Sequence, residues 1–432
     1  MVGEREIDAK NPPSPLTGLT GKGDETAVLE NIMAFAKSNG YTKVLLPRGT
    51  FTIRYLNYRD GIDIEGTGIN STFLKALPST ETVFIKSIDS PTQQFVISKF
   101  TIDGDAVNAG QHGLGLIAYP LRTPPYHGGV WYSCFKDLRI RKFRGAQIIV
   151  KKGAAEVVPS SLPNQFNVFD NVHAYRVAEN TSYCLYMEDQ IGQHTLRNCS
   201  FDGPLNGEKT EGTNIYIDGG NTILFDMVTS QNSEKAVEIK NNRNTTFRNC
   251  WFENINYSVT AYKAINLVIE SVNFANACAD DSGGGYGVRS TDTTDSIIVS
   301  SCNFAGNVDT SVWGNGQSLE IKTWNNKGTI VTKGLTRQLR AIENIFIGNA
   351  KFIYLTNQNQ IINNISHSSS PGELLAIKFH GAGTTTLTNL GNLKLPNGIT
   401  TIIFRSGDCA IFTPTELENG LMLISHNKFN AN

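Results

Sequence analysis

The sequence predicts an all-β chain: a single-stranded right-handed parallel β-helix with an N-terminal capping helix and a C-terminal antiparallel β-domain. Three observations predict it. A short strand phrase returns at intervals of one coil, one amphipathic helix stands just ahead of the first copies, and the pattern changes after the last. Forty glycines, with 40% hydrophobic against 18% charged residues, suit many short strands joined by tight turns.

The helix comes first. Val28, Leu29, Ile32, Phe35 and Ala36 recur at helical spacing after Asp24-Glu25-Thr26, and Gly40 follows the end. Lys43-Val44-Leu45-Leu46-Pro47-Arg48-Gly49-Thr50-Phe51-Thr52-Ile53 then reads as strand, turn, strand. A solenoid must close its first coil with an element that is apolar inside and polar outside. This helix fits that task, and residues 1–54 are assigned to it and its flanks.

Residues 55–330 carry the repeat. Its clearest copies are Thr195-Leu196-Arg197-Asn198-Cys199-Ser200-Phe201, Thr246-Phe247-Arg248-Asn249-Cys250-Trp251-Phe252 and Ile298-Val299-Ser300-Ser301-Cys302-Asn303-Phe304. Each alternates apolar and polar residues and bends at Asn, Asp or Ser. Taking Asn171, Asn198, Asp226, Asn249, Ser271 and Ser301 as equivalent gives steps of 27, 28, 23, 22 and 30 residues, with earlier copies centred on Lys99 and Asp137. Such a step is three short strands plus turns. Coils stacked about 4.8 Å apart place Cys199, Cys250 and Cys302 in one internal column. From 335 to 432 the pattern becomes alternating strands with hairpin signals such as Asn397-Gly398, a separate sandwich-like β-domain.

Charge and cysteine usage exclude several classes. The formal net charge is −1 with no long basic run, which argues against nucleic-acid binding. No apolar run approaches the roughly 18–20 residues that span a bilayer, so no membrane insertion is expected, and the start shows no signal-peptide core. Seven cysteines without CxxC or Cys/His spacing read as small buried hydrophobes. Neither a metal nor a cofactor is expected. Asp103 and Asp105 read as turn residues, His127 as part of a long insertion, and Asp280-Asp281 as a loop tip before three glycines.

Asp24-Glu25-Thr26-Ala27 before the helix and Leu46-Pro47-Arg48-Gly49-Thr50-Phe51 after it resemble the pectin-lyase-like superfamily, especially bacteriophage tailspike depolymerases. Asn198-Cys199-Ser200-Phe201 and Asn249-Cys250-Trp251-Phe252 are similar to that family's rung phrase, and Phe379-His380-Gly381-Ala382-Gly383-Thr384 to terminal domains of phage tail appendages. Glu25 and Phe51 depart from the family's Asp and Tyr. The resemblance implies a homotrimer, on a phage virion or otherwise extracellular, that cleaves a bacterial capsular or exopolysaccharide.

Each rung phrase is followed by a second strand: Ala146–Lys152, Cys184–Asp189, Asn214–Asp218, Ala236–Lys240, Val259–Lys263 and Tyr286–Ser290. Aligned by inward apolar residues, their outward residues form two columns. One reads Ile149, Tyr186, Tyr216, Glu238, Thr260, Gly287; the other reads Lys151, Glu188, Asp218, Lys240, Tyr262, Arg289. Aromatic faces pack on sugar rings, and carboxylates and cations hold hydroxyls and acidic substituents. Glycosidic hydrolysis needs two carboxyl groups, about 5–5.5 Å apart for retention or about 6.5–9.5 Å for inversion. Glu188 and Asp218 on adjacent rungs fall at about 4.8 Å, and the diagonal from Asp218 to Glu238 at about 8 Å. Glu188, Asp218 and Glu238 are therefore the expected catalytic carboxylates, one of them kept protonated by a like-charged neighbour. Tyr186, Tyr216, Lys240, Tyr262, Arg289 and Asp189 are the expected substrate contacts. A β-elimination lyase using Tyr186, Tyr216, Lys240 and Arg289 is the rival mechanism, and a non-catalytic receptor-binding spike is the rival class.

Overall fold

The computed structural model describes residues 5–427 apart from 88–91, 105–110, 119–128, 153–163, 179–181, 189–191, 205–206, 279–283, 293–294, 315–319, 325, 329–331, 334–343, 349–351, 357–359, 363, 368–373, 381–382, 390–392, 397–398 and 416–420. Backbone pairing arranges the chain as three parallel ladders, each visited once per coil. The first face runs from Glu6–Asp8 through Lys43–Leu45 and Asp63–Glu65 to Leu267–Glu270 and Ser296–Ser300. The second runs from Gly49–Ile53 and Thr72–Ala76 through Ser200–Asp202 to Asn303–Ala305. The third runs from Leu56–Tyr58 through Ala146–Lys152, Tyr183–Glu188 and Thr210–Asp218 to Tyr286–Ser290 and Val312–Trp313.

The corner between the first and second faces explains the repeated phrase. Lys99, Asp137, Asn171, Asn198, Met227, Asn249, Ser271 and Ser301 all have φ between 52° and 64°. One residue per coil thus adopts the left-handed conformation that turns the strand, which costs ordinary side chains roughly 1–2 kcal/mol and Asn or Asp less. Met227, not Asp226, occupies this corner; Asp226 pairs with Arg197 and Arg248 one position earlier. The steps around it become 29 and 22 residues. Replacing Asn249 by Val, whose branched Cβ resists φ > 0, should lower Tm in a thermal melt by a few degrees. An unchanged Tm would contradict a native left-handed corner.

The interior is continuous from Ile7 to Val312. Just past the corner, Cys199, Val228, Cys250, Val272 and Cys302 are each at most 2% exposed, and the carbonyl of each accepts from the amide on the next rung. The expected cysteine column therefore exists, interleaved with valine. Phenylalanines stack beside it, Phe225 on Phe247 at 4.4 Å and Phe274 on Phe304 at 4.6 Å between ring centres. The helix Thr26–Ser38 closes one end, with Leu29, Ile32, Met33 and Ala36 fully buried. Because Glu6–Asp8 and Lys43–Leu45 already belong to the first ladder, the stack begins before residue 55. Pairing continues to Thr332–Lys333, just beyond 330.

Beyond it, Leu375–His380, Cys409–Pro414 and Leu421–Asn427 pair antiparallel, as do Thr385–Thr388 and Thr401–Phe404. Parallel pairs join them, such as Phe352–Thr356 with Leu375–His380. The two sheets share a core in which Phe379 stacks on Phe404 at 4.2 Å. The Asn397-Gly398 hairpin signal lies outside the described residues.

Candidate active site

Along each strand of the third face, the inward residues fill the core and their neighbours project outward. Leu185, Met187, Ile215, Ile217, Val237 and Ile239 are fully buried. Between them stand Tyr186, Tyr216 and Glu238 in one outward column and Glu188, Asp218 and Lys240 in the next, in the register expected. Thr260 and Tyr262 continue these two columns. Arg289 does not follow Tyr262: it pairs with Thr260, in the first column, where Gly287 was expected. The slip arises because Gly287 and Val288 are both buried, so the outward residues before and at this point, Tyr286 and Arg289, are three apart.

Three successive strands of this face each tie their own two outward residues together. Tyr186 donates its hydroxyl to Glu188 Oε2 at 3.0 Å, and Tyr216 donates to Asp218 Oδ2 at 3.3 Å. Lys240 Nζ lies 2.8 Å from Glu238 Oε1 and 5.0 Å above the Tyr216 ring. Asn241 Nδ2 donates to Asp218 Oδ1 at 2.8 Å. The Tyr186 and Tyr216 rings stack at 5.0 Å with 12° between planes, and Tyr183 tilts against both. Burial, and then the hydrogen bond to Glu188, push the Tyr186 phenol well above its usual range; burial also raises that of Tyr216. The hydrogen bond to Glu238 holds the Lys240 ammonium above its usual range. Further along, Arg289 lies over the rings of Trp313 at 4.4 Å and Tyr286 at 5.5 Å, and Tyr262 is half-open to solvent under Lys263.

Elsewhere several acidic residues meet a basic partner on a neighbouring rung. On the first face Arg197 meets Asp170 at 3.0 Å and Arg248 meets Asp226 at 2.8 Å. Asp103 pairs with Arg141 at 2.9 Å and Lys142 at 3.4 Å. Among the described residues no salt bridge joins Glu188 or Asp218 to a basic side chain. Asp189 lies outside the described residues, as do Asp105, His127, Asp280 and Asp281.

The second face carries carboxylates that the repeat phrase, cut at its phenylalanine, did not reveal. Ser200-Phe201-Asp202 and Trp251-Phe252-Glu253 each point Phe inward and its two neighbours outward. One more residue of period-two alternation would have found both acids. Asp202, Gln231 and Glu253 are in register on three successive rungs. Asp202 is 9% exposed; Ser200 donates to its Oδ2, while its Oδ1 has no partner. Burial raises its pKa to about 6.

A stability consequence follows. The folded pKa exceeds the unfolded value of about 3.9, so the folded chain binds this proton more tightly. The contribution to stability is therefore greatest below about pH 4 and is lost as pH rises through about 6. Asp202→Asn, which cannot ionise, should raise Tm relative to wild type at pH 8 and give no such gain at pH 4. Equal shifts at both pH values would contradict a buried titrating carboxyl.

No family model matches this chain. No curated protein matches it either. Solved structures do resemble it. The A-module of an Azotobacter vinelandii mannuronan C-5 epimerase shares 14% identity at TM-score 0.48, over 72% of this chain and 94% of that one. PfbA, a surface adhesin of Streptococcus pneumoniae, shares 10% at TM-score 0.43, over 99% and 100%. A tailspike from Acinetobacter baumannii bacteriophage Fri1, a capsular polysaccharide depolymerase, shares 12% at TM-score 0.40, over 90% and 64%. Among the described residues no helix is long and apolar enough to cross a membrane, and no group of three metal-ligating side chains occurs.

Proposed function

We propose that the chain binds an extended bacterial surface polysaccharide along the third face and cleaves it by glycosidic hydrolysis, with Glu188 and Asp218 as the paired carboxylates. The register carries this reading: the two residues face each other on consecutive rungs, about 4.8 Å apart by backbone spacing, close to the roughly 5–5.5 Å of retaining glycosidases. Asp218 accepts two oriented hydrogen bonds and suits the nucleophile. Glu188 suits the acid–base. Its proton passes to the glycosidic oxygen as Asp218 bonds the anomeric carbon and the C1–O bond breaks; it then takes a proton from a water whose oxygen bonds that carbon and displaces Asp218. Tyr186, Tyr216 and Tyr262 offer ring faces to sugars, and Lys240 and Arg289 offer donors to hydroxyls or acidic substituents. Glu238, held by Lys240, fits a positioning role better than that of a third catalytic acid.

A lyase would use Lys240 or Arg289 to neutralise a uronate and a tyrosine as base. Tyr186 and Tyr216 each donate to a carboxylate, and their raised phenols stay protonated at neutral pH. This favours hydrolysis. Digestion of a panel of capsular polysaccharides, read by mass spectrometry, tests it. Hydrolysis yields new reducing ends without the ultraviolet absorbance of an unsaturated uronate. Absorbing fragments would transfer the assignment to a lyase, and the absence of new ends from every polymer to a binding spike. The same reading takes the protein as a homotrimer on a phage tail or otherwise outside the cell, for which light scattering should return three times the chain mass of 47.3 kDa.

A further inference from the structure

The outer surface of the first face takes no part in the chemistry proposed for the third. Two outward columns cross it over the same eight rungs, traced through the strand register. One runs from Val96 to Ile298, holds only Val, Cys, Thr, Leu and Ile, and is partly open to solvent at every rung. The other begins at Ser98 and ends at Ser300. Between them it reads Lys136, Asp170, Arg197, Asp226, Arg248, Glu270, a strict alternation of charge. Alternation relieves the repulsion of stacked like charges, and Arg197 meets Asp170 and Arg248 meets Asp226 within the chain. Among the described residues the two end charges, Lys136 and Glu270, form no salt bridge, and both are exposed. Neutralisation within one chain thus accounts for the four central charges. It accounts neither for the ends nor for the apolar column beside them.

We propose that this face binds the same face of a second copy of the chain, the two solenoids lying antiparallel about a two-fold axis. The axis runs along the strands, between the rungs of Arg197 and Asp226. It reverses the order of the rungs and sets each column against itself. Under that reversal the ladder is its own complement: Lys136 faces Glu270, Asp170 faces Arg248, and Arg197 faces Asp226 of the partner subunit. The two charges without a salt bridge in the chain are therefore opposed across the contact. The same centre matches the neutral ends, Ser98 with Ser300, and closes the apolar column on itself, with Cys134 facing Val268 and Thr195 facing Leu224. At the far edge the Tyr132–Phe166 stack, with rings 4.9 Å apart and 56% and 38% exposed, comes over the corner at Ile265, itself 36% exposed. Such a contact, with one patch meeting itself, is isologous. The paired area is about 34 Å by about 17 Å from rung and residue spacing, roughly 1,100 Å² over both copies, which is the size of a weak, reversible interface.

The pairing is independent of any action on polysaccharide. Chains parallel about a three-fold axis keep their rungs in one order and cannot make these contacts, so the pairing joins copies outside any such trimer. Sedimentation velocity of the full chain over a concentration series should show the basal particle doubling in mass. Lys136→Glu and Glu270→Lys should each weaken the doubling by about tenfold or more, and the double variant should regain the wild-type dissociation constant. Within one chain these residues stand five rungs apart, about 24 Å. That is well beyond the Debye length of about 8 Å, so only a contact between copies can produce the rescue. Circular dichroism checks that each variant folds. In Val268→Cys, a short bismaleimide should join Cys134 of one copy to the introduced thiol of the other, as read by peptide mass spectrometry. A mass that stays constant with concentration overturns the proposal. So does doubling that both single variants leave intact, a double variant without rescue, or a Cys134-to-Cys134 link in wild type, which marks parallel copies.

Discussion

Glu188→Gln and Asp218→Asn are each expected to lower hydrolysis of the surface polysaccharide by about 10²–10⁴-fold, with KM changed far less. Neither side chain supports the core: Met187 and Ile217 do that, and the two carboxylates project from the opposite side of their strands. Melting temperature and circular dichroism should therefore stay close to wild type. Tyr186→Phe removes the hydroxyl that Glu188 accepts and should shift the alkaline limb of the pH–rate profile, which the acid–base governs, rather than abolish turnover. If both carboxylate variants keep more than a tenth of the rate, the third-face site is wrong.

Phe247→Ala should cost about 3–5 kcal/mol of stability. The ring is fully buried, lies parallel to Phe225 at 4.4 Å with 9° between planes, and meets Phe252 edge-on at 6.1 Å. Its neighbours are fixed by ladders on both sides, so the coil cannot collapse into the vacancy. In a stack whose coils touch only their neighbours, such damage opens the chain locally. Limited proteolysis near residue 247 should register it alongside urea unfolding. A loss below about 1 kcal/mol would contradict the tight stacking of that column, since even Ile→Val costs about that much.

The fold was readable because its determinants are local and periodic: Asn198, Asn249 and Ser301 announce the corner, and the phenylalanines after them the core. The reading failed where residue chemistry and geometry part company. Met227 holds a left-handed corner that its side chain does not advertise, and residue chemistry points instead to its neighbour Asp226. Arg289 slipped a column because two consecutive inward residues, Gly287 and Val288, break strict alternation. The carboxylates of the third face were legible from pattern alone. Their tyrosine partners at 3.0 and 3.3 Å were not, since a hydrogen bond along one strand depends on rotamers. Asp202 lies one residue past the end of the repeated phrase, and only its burial sets it apart from other outward acids.

The unequal steps between corners carry a last consequence. From Lys99 to Ser301 the chain spends 38, 34, 27, 29, 22, 22 and 30 residues per circuit, yet returns each time to the next height. Height is indexed by backbone pairing, and excursion length is free. Loops can therefore be lengthened, exchanged or lost in descent without moving one carboxylate relative to another. Recognition and chemistry are heritable apart from each other, so a lineage of such proteins could change its polymer while keeping its reaction.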